Sequence, residues 1–395
     1  MLRIVMKCNK MMNPVFLGLL CLVLMLHSMQ LAACSGLPPA GAHALRNASL
    51  ETMAGQMVLA GFRGTTLEDQ APILRDLNRL GLGGAVLFDR DVVLGTRTRN
   101  ILNPEQLARL TARLRKTARI PPFLGVDQEG GAVARLRPER GFPATVSAAA
   151  LGREGNLTAA RLAGRNIGET LRRGGLNLDF APVVDLDFGD KSPAIGRLGR
   201  SFSADPEQAA AYALAFIRGL HDAGVLSCLK HFPGHGSAGG DTHLGFTDVT
   251  DVWSRKELVP FRRIIDAGEA DMIMTAHIAN RNLDPDGPAT FSKAVIQGLL
   301  RGELGYDGVV ITDDLQMGAV AQNYGFEQAV RQSVLAGADI LLFGNNLSYD
   351  PDVAAKARNV ILDMVRSKEV DKARIAKSWE RIMRLKAKLE ARPAH

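Results

Sequence analysis

The sequence contains little cysteine and few aromatic residues. Of its 395 residues, four are cysteine and 5% are Phe, Trp or Tyr. Four cysteines are too few for a scaffold held together by disulfides, and so few aromatic side chains argue against a surface that stacks nucleic-acid bases. The 40 glycines follow no three-residue period, which excludes a collagen-like fibre.

The charge is also not that of a nucleic-acid-binding protein. The formal net charge is +7, but residues 1–33 carry +3 and residues 354–395 carry +7, so the stretch between them is net acidic. A basic surplus confined to the two ends predicts no nucleic-acid partner. With 46% hydrophobic and 23% charged residues, the rest of the chain has ordinary globular composition.

The N-terminus lacks an apolar run long enough to span a bilayer comfortably. The 12 residues from Val15 to Leu26 follow three basic residues, an arrangement typical of a signal peptide over residues 1–33. Leu31-Ala32-Ala33-Cys34 comes next and resembles the bacterial lipobox, in which the cysteine receives lipid. We therefore expect an exported protein, lipid-anchored through Cys34 to a membrane and facing the periplasm, on the outer membrane if the cell has one. An ordinary signal peptide cut near Ala33 and an uncleaved anchor are the alternatives.

The remaining cysteines fit this interpretation. Cys8 and Cys21 lie within the signal segment, and Cys34 would be acylated. Only Cys228 is then left, so no intramolecular disulfide is expected. Because Cys228 lies in an apolar run, we predict a buried core residue. Residues 34–50, rich in Pro, Gly and Ala, are predicted to form a tether.

From about residue 51 the chain alternates between strand-like and helix-like segments. The strand-like runs are apolar without strict alternation, which indicates parallel strands buried on both faces: Met57–Phe62, Gly84–Phe88, Phe123–Val126, Leu178–Val184, Ser227–Lys230, Met272–Ala276, Val309–Thr312 and Ile340–Phe343. Helical patterns lie between them: Pro104–Thr117, Asn156–Arg173, Pro206–Ala223, Arg255–Ala267, Lys293–Arg301 and Phe326–Ala336. Eight such units predict a single (β/α)8 barrel of the TIM type over residues 51–351.

Residues 352–395 are predicted to form helices on that barrel. They comprise a helix over Asp352–Ser367 and a final basic helix over Asp371–Glu390 whose apolar face packs on the barrel's outside. A doubly wound open sheet is the alternative fold. The first strand is not followed by the G-x-G-x-x-G fingerprint of dinucleotide-binding sheets, which argues against it.

Three segments after predicted strands are longer than connections need to be: Gln128–Leu151, Asp187–Ala204 and Phe232–Ser254. In a barrel all three lie on the C-terminal face, where active sites are built. Asp127 directly follows the third strand, with Arg135 eight residues later, and Arg200 lies in the loop after the fourth strand. These side chains can bind hydroxyl groups or a carboxylate, although a solvated turn and a surface arginine are the plainer interpretations.

The fifth strand ends in Lys230-His231-Phe232-Pro233-Gly234-His235-Gly236, and Asp241-Thr242-His243 follows. Three histidines suggest zinc, but Pro233 and Gly234 prevent one helix from carrying His231 and His235, and no H-E-x-x-H motif or cysteine pair is present. We therefore expect no metal. An aspartate two residues before a histidine can instead orient the imidazole and stabilise its charged form.

Asp313 is the first carboxylate after the apolar run Val309–Thr312 of the seventh strand. At that position a carboxylate points into the mouth of a barrel and can act as a nucleophile. Capping of the next helix is the plainer role, and it suits Asp314 better than Asp313.

Together these motifs identify the chain, from about Met53 to Leu342, as similar to family 3 glycoside hydrolases. It most resembles the single-barrel bacterial β-N-acetylglucosaminidases of cell-wall turnover, above all in K-H-F-P-G-H-G followed by D-x-H. The resemblance implies that Asp313 is the nucleophile and that His243, held by Asp241, is the general acid/base. It also implies no cofactor and a set of residues that bind the N-acetylglucosamine hydroxyls: Asp127, Arg135, Arg200, Lys230 and His231.

One departure from the family pattern is visible. After His235-Gly236 the family often has Asp-Thr, whereas this chain has Ser237 and Ala238. Many β-glucosidases of the family take the acid/base from a second domain, but too few residues follow this barrel for one. The expected function is therefore a retaining exo-β-N-acetylglucosaminidase acting on GlcNAc–MurNAc fragments of peptidoglycan. A phosphorylase or β-glucosidase of the same family, a cytoplasmic recycling enzyme and a non-catalytic sugar-binding lipoprotein are the alternatives.

Overall fold

The computed structural model describes residues 48–69 and 71–391. The predicted signal segment, Cys34 and most of the tether lie outside these residues. Eight parallel strands form a ring in the order β7-β6-β5-β4-β3-β2-β1-β8. Their bounds are β1 Val58–Gly61, β2 Gly84–Val86, β3 Phe123–Val126, β4 Leu178–Asp179, β5 Leu226–Phe232, β6 Met272–Thr275, β7 Val309–Thr312 and β8 Leu341–Phe343.

A parallel bridge between Ile311 and Ile340 joins the first and last strands of this order. The amide of Thr312 also donates to the carbonyl of Ile340 at 3.0 Å. The ring is thus nearly closed, which confirms the predicted (β/α)8 barrel and excludes an open sheet. Every residue of β1, β3, β6 and β7 is buried, because the barrel interior covers one face of each strand and the helices cover the other.

Helices surround the ring. They are α1 Leu50–Gln56, α2 Pro72–Arg75 (extended by a π-helical turn, Asp76–Leu80), α3 Pro104–Thr117, α4 Ala148–Glu154, α5 Leu157–Arg173, α6 Pro206–Asp222, α7 Val259–Asp266, the π-helical α8 Ala294–Glu303, α9 Gly318–Ala321, α10 Phe326–Ala336, α11 Val353–Arg366 and α12 Lys372–Ala391. Four 3-10 turns lie at Pro138–Arg140, Gly189–Lys191, Arg255–Leu258 and Ala289–Phe291. Two short strand pairs extend from the loops: Gln128–Gly130 with Val133–Ala134, and Thr247–Asp248 with Ile278–Ala279.

Several boundaries differ from the sequence prediction. The fourth strand was expected over Leu178–Val184, but regular pairing covers only Leu178–Asp179. Pro182 has no N–H to donate to a ladder, and pairing resumes only as a single bridge between Val183 and Lys230. Helices α2 and α4 were not predicted from the sequence.

Cys228 lies within β5 and is a fully buried free thiol, as expected. Burial raises the pKa of this thiol well above its ordinary value, so it is inert at neutral pH. None of the helices in the described ranges is long and apolar enough to cross a bilayer.

The last helix, α12, packs its apolar face on the barrel as predicted. Ile375, Trp379, Ile382 and Leu385 are buried. A lysine of the same helix, Lys386, is also buried, which the sequence did not predict. Its ammonium lies at the amino-terminal ends of the strands, 2.6 Å from Oε1 of Gln56, 2.9 Å from the carbonyl of Gly83 and 4.8 Å from the ring centre of Phe123.

Burial lowers the pKa of Lys386 to about 7. The unfolded chain then holds a proton that the folded chain lacks between about pH 7 and the ordinary lysine pKa of about 10.4. We expect the free energy of unfolding to rise with pH in that window, by up to ~1.4 kcal/mol per pH unit from this group. Lys386→Met should remove this contribution from the slope, whereas Lys377→Met, an exposed change on the same helix, should not.

Urea unfolding of the three proteins between pH 6 and pH 10 measures the effect. Parallel curves for the wild type and Lys386→Met would show that Gln56, Gly83 and Phe123 keep the ammonium charged inside the fold.

Candidate active site

All eight side chains predicted for the site line one cavity at the carboxyl ends of the strands. The cavity has a volume of about 270 Å³, and the eight residues are Asp127, Arg135, Arg200, Lys230, His231, Asp241, His243 and Asp313. Lys230 and His231 lie in β5 itself, and the other six follow β3, β4, β5 or β7, so closure of the barrel brings together residues that are far apart in the sequence. The assignment of chemical roles to them remains a prediction.

Lys230 is the centre of a buried ion-pair network on one wall. Its Nζ lies 2.8 Å from Oδ1 of Asp127 and 2.8 Å from Oε1 of Glu129. Burial disfavours the ammonium, but these two carboxylates outweigh it and raise the pKa of Lys230 above its ordinary value. Two of its three donors are thereby used, and one remains available.

Glu129 was not among the predicted site residues. Its carboxylate accepts two hydrogen bonds from Arg200, from Nε at 2.8 Å and from Nη2 at 2.7 Å. Burial raises the pKa of Glu129, but Arg200 and Lys230 outweigh that effect and lower it to about 2. This bidentate pairing fixes the plane of the Arg200 guanidinium. Its Nη1 donates a hydrogen bond to the carbonyl of Ala194 at 2.9 Å. Arg200 is therefore mostly committed to the protein, and only its remaining N–H groups can reach a ligand.

Oδ1 of Asp127 accepts a hydrogen bond from Nζ of Lys230. Oδ2 of Asp127 lies 3.4 Å from Nη2 of Arg135. Burial raises the pKa of Asp127, but Lys230 and Arg135 outweigh it and hold it well below its usual range. The wall thus presents a permanently ionised carboxylate between two cations. Such a wall suits a neutral, hydroxyl-rich ligand, because it offers both acceptors and donors.

His231 is held by a residue that sequence reasoning missed. Asp185, which is buried, lies 2.7 Å from Nδ1 of His231 and also accepts the amides of His231 and His235, at 3.1 and 2.7 Å. Nε2 of His231 is left for the cavity. Asp185 is the first carboxylate after the apolar pair Val183-Val184, the same signal that identified Asp313, so the sequence could have revealed it.

Asp313 directly follows β7 and is partly buried at the floor of the cavity. Its Oδ1 accepts the amide of Asp314 at 2.8 Å. Burial raises its pKa, but His277, His231 and His243 outweigh burial and hold the pKa below its ordinary value. The carboxylate is therefore ionised at neutral pH, as a nucleophile must be.

Asp314 is not the helix cap that the sequence suggested. Its Oδ1 accepts the amides of Gly344 at 2.9 Å and Gln316 at 3.0 Å, whereas α9 begins only at Gly318. Asp314 thus ties the β7 loop to the end of β8, and burial raises its pKa to about 6. Gly344 has to be glycine here, because a Cβ would lie 2.3 Å from Oδ2 of Asp314.

Asp241 and His243 form the predicted pair at the cavity mouth. Nδ1 of His243 lies 2.9 Å from Oδ1 of Asp241, which also accepts the His243 amide at 2.9 Å. This hydrogen bond raises the pKa of His243 above its ordinary value and lowers that of Asp241 to about 2. The His243 side chain is 57% exposed, so its other nitrogen is accessible to a ligand in the cavity.

The loop that carries this pair is attached at both ends. The carbonyls of Thr242 and His243 accept the amides of Ala319 and Gly318 at the start of α9, at 3.1 and 3.3 Å. At the point of departure from the family pattern, Ser237 Oγ donates to Oε1 of Glu257 at 2.6 Å. The substitution thus provides its own anchor and leaves the Asp241–His243 pair in place.

His235 takes no direct part in the cavity lining. It is buried, its Nε2 lies 3.4 Å from Oγ1 of Thr242, and burial lowers its pKa to about 4. Among residues 48–69 and 71–391, no group of three or more His, Cys, Asp or Glu side chains is arranged to hold a metal ion.

His277 is a third residue that the sequence analysis missed. It is buried just after β6, and its Nε2 donates to the carbonyl of Asp314 at 3.0 Å, while Nδ1 lies 2.9 Å from Oγ1 of Thr290. Burial lowers the pKa of His277 below its ordinary value. His277 thereby fixes the residue whose amide orients the carboxylate of Asp313.

We expect His277→Leu to lower kcat by ~10–100-fold with little change in KM, because Asp314 would turn and misplace Asp313. His277→Gln keeps an N–H for the same carbonyl and should restore most of the rate. His221→Leu is the control: His221 is also hydrogen-bonded, to Asp271 at 2.6 Å, but next to the amino-terminal end of β6. A normal kcat in folded His277→Leu would contradict the positioning role.

Comparison with known proteins shows which sequences and structures this chain is similar to. Residues 49–385 match the family model "Glycosyl hydrolase family 3 N terminal domain". The beta-hexosaminidase of Tolumonas auensis is 40% identical over 277 residues, which are 67% of this chain and 76% of that protein. Beta-hexosaminidase A of Pseudoalteromonas piscicida is 34% identical over 337 residues, which are 79% of this chain.

Among solved structures, a glycoside hydrolase family 3 beta-N-acetylglucosaminidase from Paenibacillus sp. FPU-7 superposes with a TM-score of 0.80 at 36% identity over 88% of this chain. The match spans 54% of the Pseudoalteromonas relative and 64% of the Paenibacillus chain. The barrel described above thus corresponds to about half to two thirds of those two longer proteins.

Proposed function

The chain belongs to glycoside hydrolase family 3, and we propose that it is a retaining exo-β-N-acetylglucosaminidase that removes terminal β-linked N-acetylglucosamine. One observation carries this proposal: an ionised carboxylate at the floor of the cavity, Asp313, and a histidine–aspartate pair at its mouth, His243 and Asp241, line the same space. The names of the relatives support N-acetylglucosamine as the sugar that is removed.

The residues divide the reaction between them. Asp313 attacks the anomeric carbon while His243 protonates the leaving oxygen, and a covalent glycosyl-aspartate forms. The leaving group departs with that proton, and neutral His243 then removes a proton from the attacking water. Water adds to the anomeric carbon, releases Asp313 and gives N-acetylglucosamine with its original anomeric configuration.

The electrostatics suit both halves of this cycle. Asp241 raises the pKa of His243, which favours the protonated ring that a general acid needs. The lowered pKa of Asp313 keeps the nucleophile ionised at the same time. Lys230, His231, Asp127, Arg135 and Arg200 bind the hydroxyls of the terminal sugar from the wall of the cavity.

Hydrolysis of 4-nitrophenyl β-N-acetylglucosaminide beside the matching β-glucoside tests the proposal. We expect the N-acetylglucosaminide to be the better substrate by kcat/KM and free N-acetylglucosamine to form in phosphate-free buffer. A sugar phosphate formed only when phosphate is present would indicate a phosphorylase, and a better rate on the glucoside would indicate a β-glucosidase. No turnover of either compound would favour a sugar-binding protein.

For the natural substrate we propose GlcNAc–MurNAc fragments of peptidoglycan. The family resemblance and the expected export of the chain support this source. Incubation with purified GlcNAc–MurNAc should release N-acetylglucosamine, and absence of release alongside turnover of the nitrophenyl substrate would point to another glycan.

For location we propose a lipid anchor at Cys34, on the strength of Leu31-Ala32-Ala33-Cys34 after the apolar run of the signal segment. Each buried acyl methylene contributes ~0.8 kcal/mol, so the lipidated protein should fractionate with membranes. Cys34→Ala should shift the protein out of the membrane fraction or leave an unprocessed precursor, whereas Cys21→Ala should behave like the wild type. Identical soluble distribution of wild type and Cys34→Ala would contradict the anchor.

A further inference from the structure

We propose that an apolar rim at the cavity mouth binds an aliphatic part of the leaving group and makes the enzyme prefer such leaving groups. The rim consists of Val92, Leu198 and Leu347, which come from the loops after β2, β4 and β8. The inference rests on the proposed function, because it concerns the second half of the substrate that the same site cleaves.

The rim residues are exposed and belong to the cavity. Val92 is 52% exposed, Leu198 44% and Leu347 39%, and all three line the space that also contains Asp313 and His243. Scattered exposed apolar residues are normal on a protein surface. These three instead line the cavity that contains Asp313 and His243, where they can contact a ligand.

The part of the rim around Val92 is held rigidly. The side-chain amide of Asn346 accepts the Val92 amide at 3.0 Å and donates to the carbonyl of Arg90 at 3.2 Å, so it joins the β2 loop to the β8 loop that carries Leu347. Asp91, which lies between Arg90 and Val92 in the sequence, is buried and accepts two hydrogen bonds from Arg63, at 2.7 and 3.1 Å. Apolar side chains on a backbone that is already fixed bind a ligand at a smaller ordering cost than those on a mobile loop.

The direction of the reaction places the leaving group at this rim. The polar wall formed by Asp127 and Lys230 takes the terminal sugar, and Asp313 at the floor attacks it. His243 delivers its proton at the mouth, so the leaving oxygen and the group attached to it have to lie there. Side chains that are exposed at the mouth therefore contact the leaving group rather than the terminal sugar.

The chemistry of the rim defines what it selects. Valine and leucine side chains offer no hydrogen bond to a hydroxyl group, but they gain free energy from each methyl or methylene that they cover. The rim thus favours leaving groups that carry an alkyl or short acyl substituent over leaving groups that present only hydroxyls.

A series of alkyl β-N-acetylglucosaminides isolates this effect. Ethyl, butyl and hexyl alcohols have nearly the same acidity, so the chemical step stays constant while the apolar surface grows. We expect kcat/KM to rise by about two- to fourfold for each added methylene that the rim covers. The double variant Val92→Thr, Leu347→Asn should flatten this dependence, so that the three compounds differ less in kcat/KM than they do with the wild type.

Val93→Thr is the matched control. Val93 is the next residue on the same loop and is 48% exposed, but it does not line the cavity. It should keep the wild-type dependence on chain length. The single variant Val92→Thr has almost the shape of the native residue and provides the same test, with a smaller expected effect, if the double variant does not fold.

Three outcomes would overturn the inference: no dependence on chain length in the wild type, an unchanged dependence in the rim variants, or an equal loss in Val93→Thr. A failure of the proposed function is seen separately. In that case the wild type does not hydrolyse 4-nitrophenyl β-N-acetylglucosaminide. Hydrolysis of that compound without a dependence on alkyl length contradicts only the rim.

Discussion

Asp313→Asn is expected to abolish formation of the glycosyl-enzyme and to lower kcat by at least ~10⁴-fold, since loss of a nucleophile removes the covalent pathway altogether. The amide has nearly the size of the carboxylate and can still accept the Asp314 amide at Oδ1, so the fold should be unchanged. Circular dichroism and the thermal transition check the fold, and steady-state rates check the loss.

Mass spectrometry identifies the nucleophile directly. A slow fluorinated substrate with an activated leaving group should label Asp313 in the wild type and leave Asp313→Asn unlabelled. Asp314→Asn is the control, because Asp314 is adjacent but is bound to the amides of Gly344 and Gln316. It should be slower than the wild type and still be labelled at Asp313. Label on Asp314 in the wild type would refute the assignment.

His243→Ala should have the second largest effect, and the effect should depend on the leaving group. On substrates with poor leaving groups the loss should be ~10²–10⁴-fold, because the general acid is removed. Dinitrophenolate needs little protonation, so formation of the glycosyl-enzyme from a dinitrophenyl substrate should be much less affected. Pre-steady-state release of the phenolate measures that step apart from the later hydrolysis.

Asp241→Asn should resemble His243→Ala in milder form, since the imidazole remains but loses its charged partner. His243 has to be protonated to act as the acid, and Asp241 keeps it protonated to a higher pH by raising its pKa. The value of kcat/KM should fall as the pH rises through the pKa of His243. In Asp241→Asn this fall should therefore begin at a lower pH.

His231→Ala provides the contrast for both variants. His231 is predicted to bind a sugar hydroxyl, so its loss should lower the rate equally for good and poor leaving groups. If His243→Ala instead showed such a uniform loss, His243 would be a binding residue. The acid/base would then have to be sought at His231, because His235 is buried outside the cavity lining.

The sequence by itself determined the parts of this protein that depend on local patterns. The apolar runs predicted β3 and β7 with the bounds that the structure has, and the helical patterns over Pro104–Thr117 and Phe326–Ala336 predicted two helices with the observed bounds. A strand buried on both faces has to be apolar, and its first polar successor has to face the barrel mouth. The same rule found Asp127 and Asp313.

Tertiary structure alone decided which polar groups are paired. Arg200 and Glu129 are 71 residues apart, His231 and Asp185 46, and His277 and Asp314 37. No short-range pattern encodes such a pairing, because barrel closure, which sets strand order and register, determines which strand ends become neighbours. Buried polar groups then have to find partners across that ring, at positions that each segment alone leaves open. The sequence therefore predicted the candidate site residues, and the closed barrel determined that Asp185, Glu129 and His277 pair with His231, Arg200 and the carbonyl of Asp314.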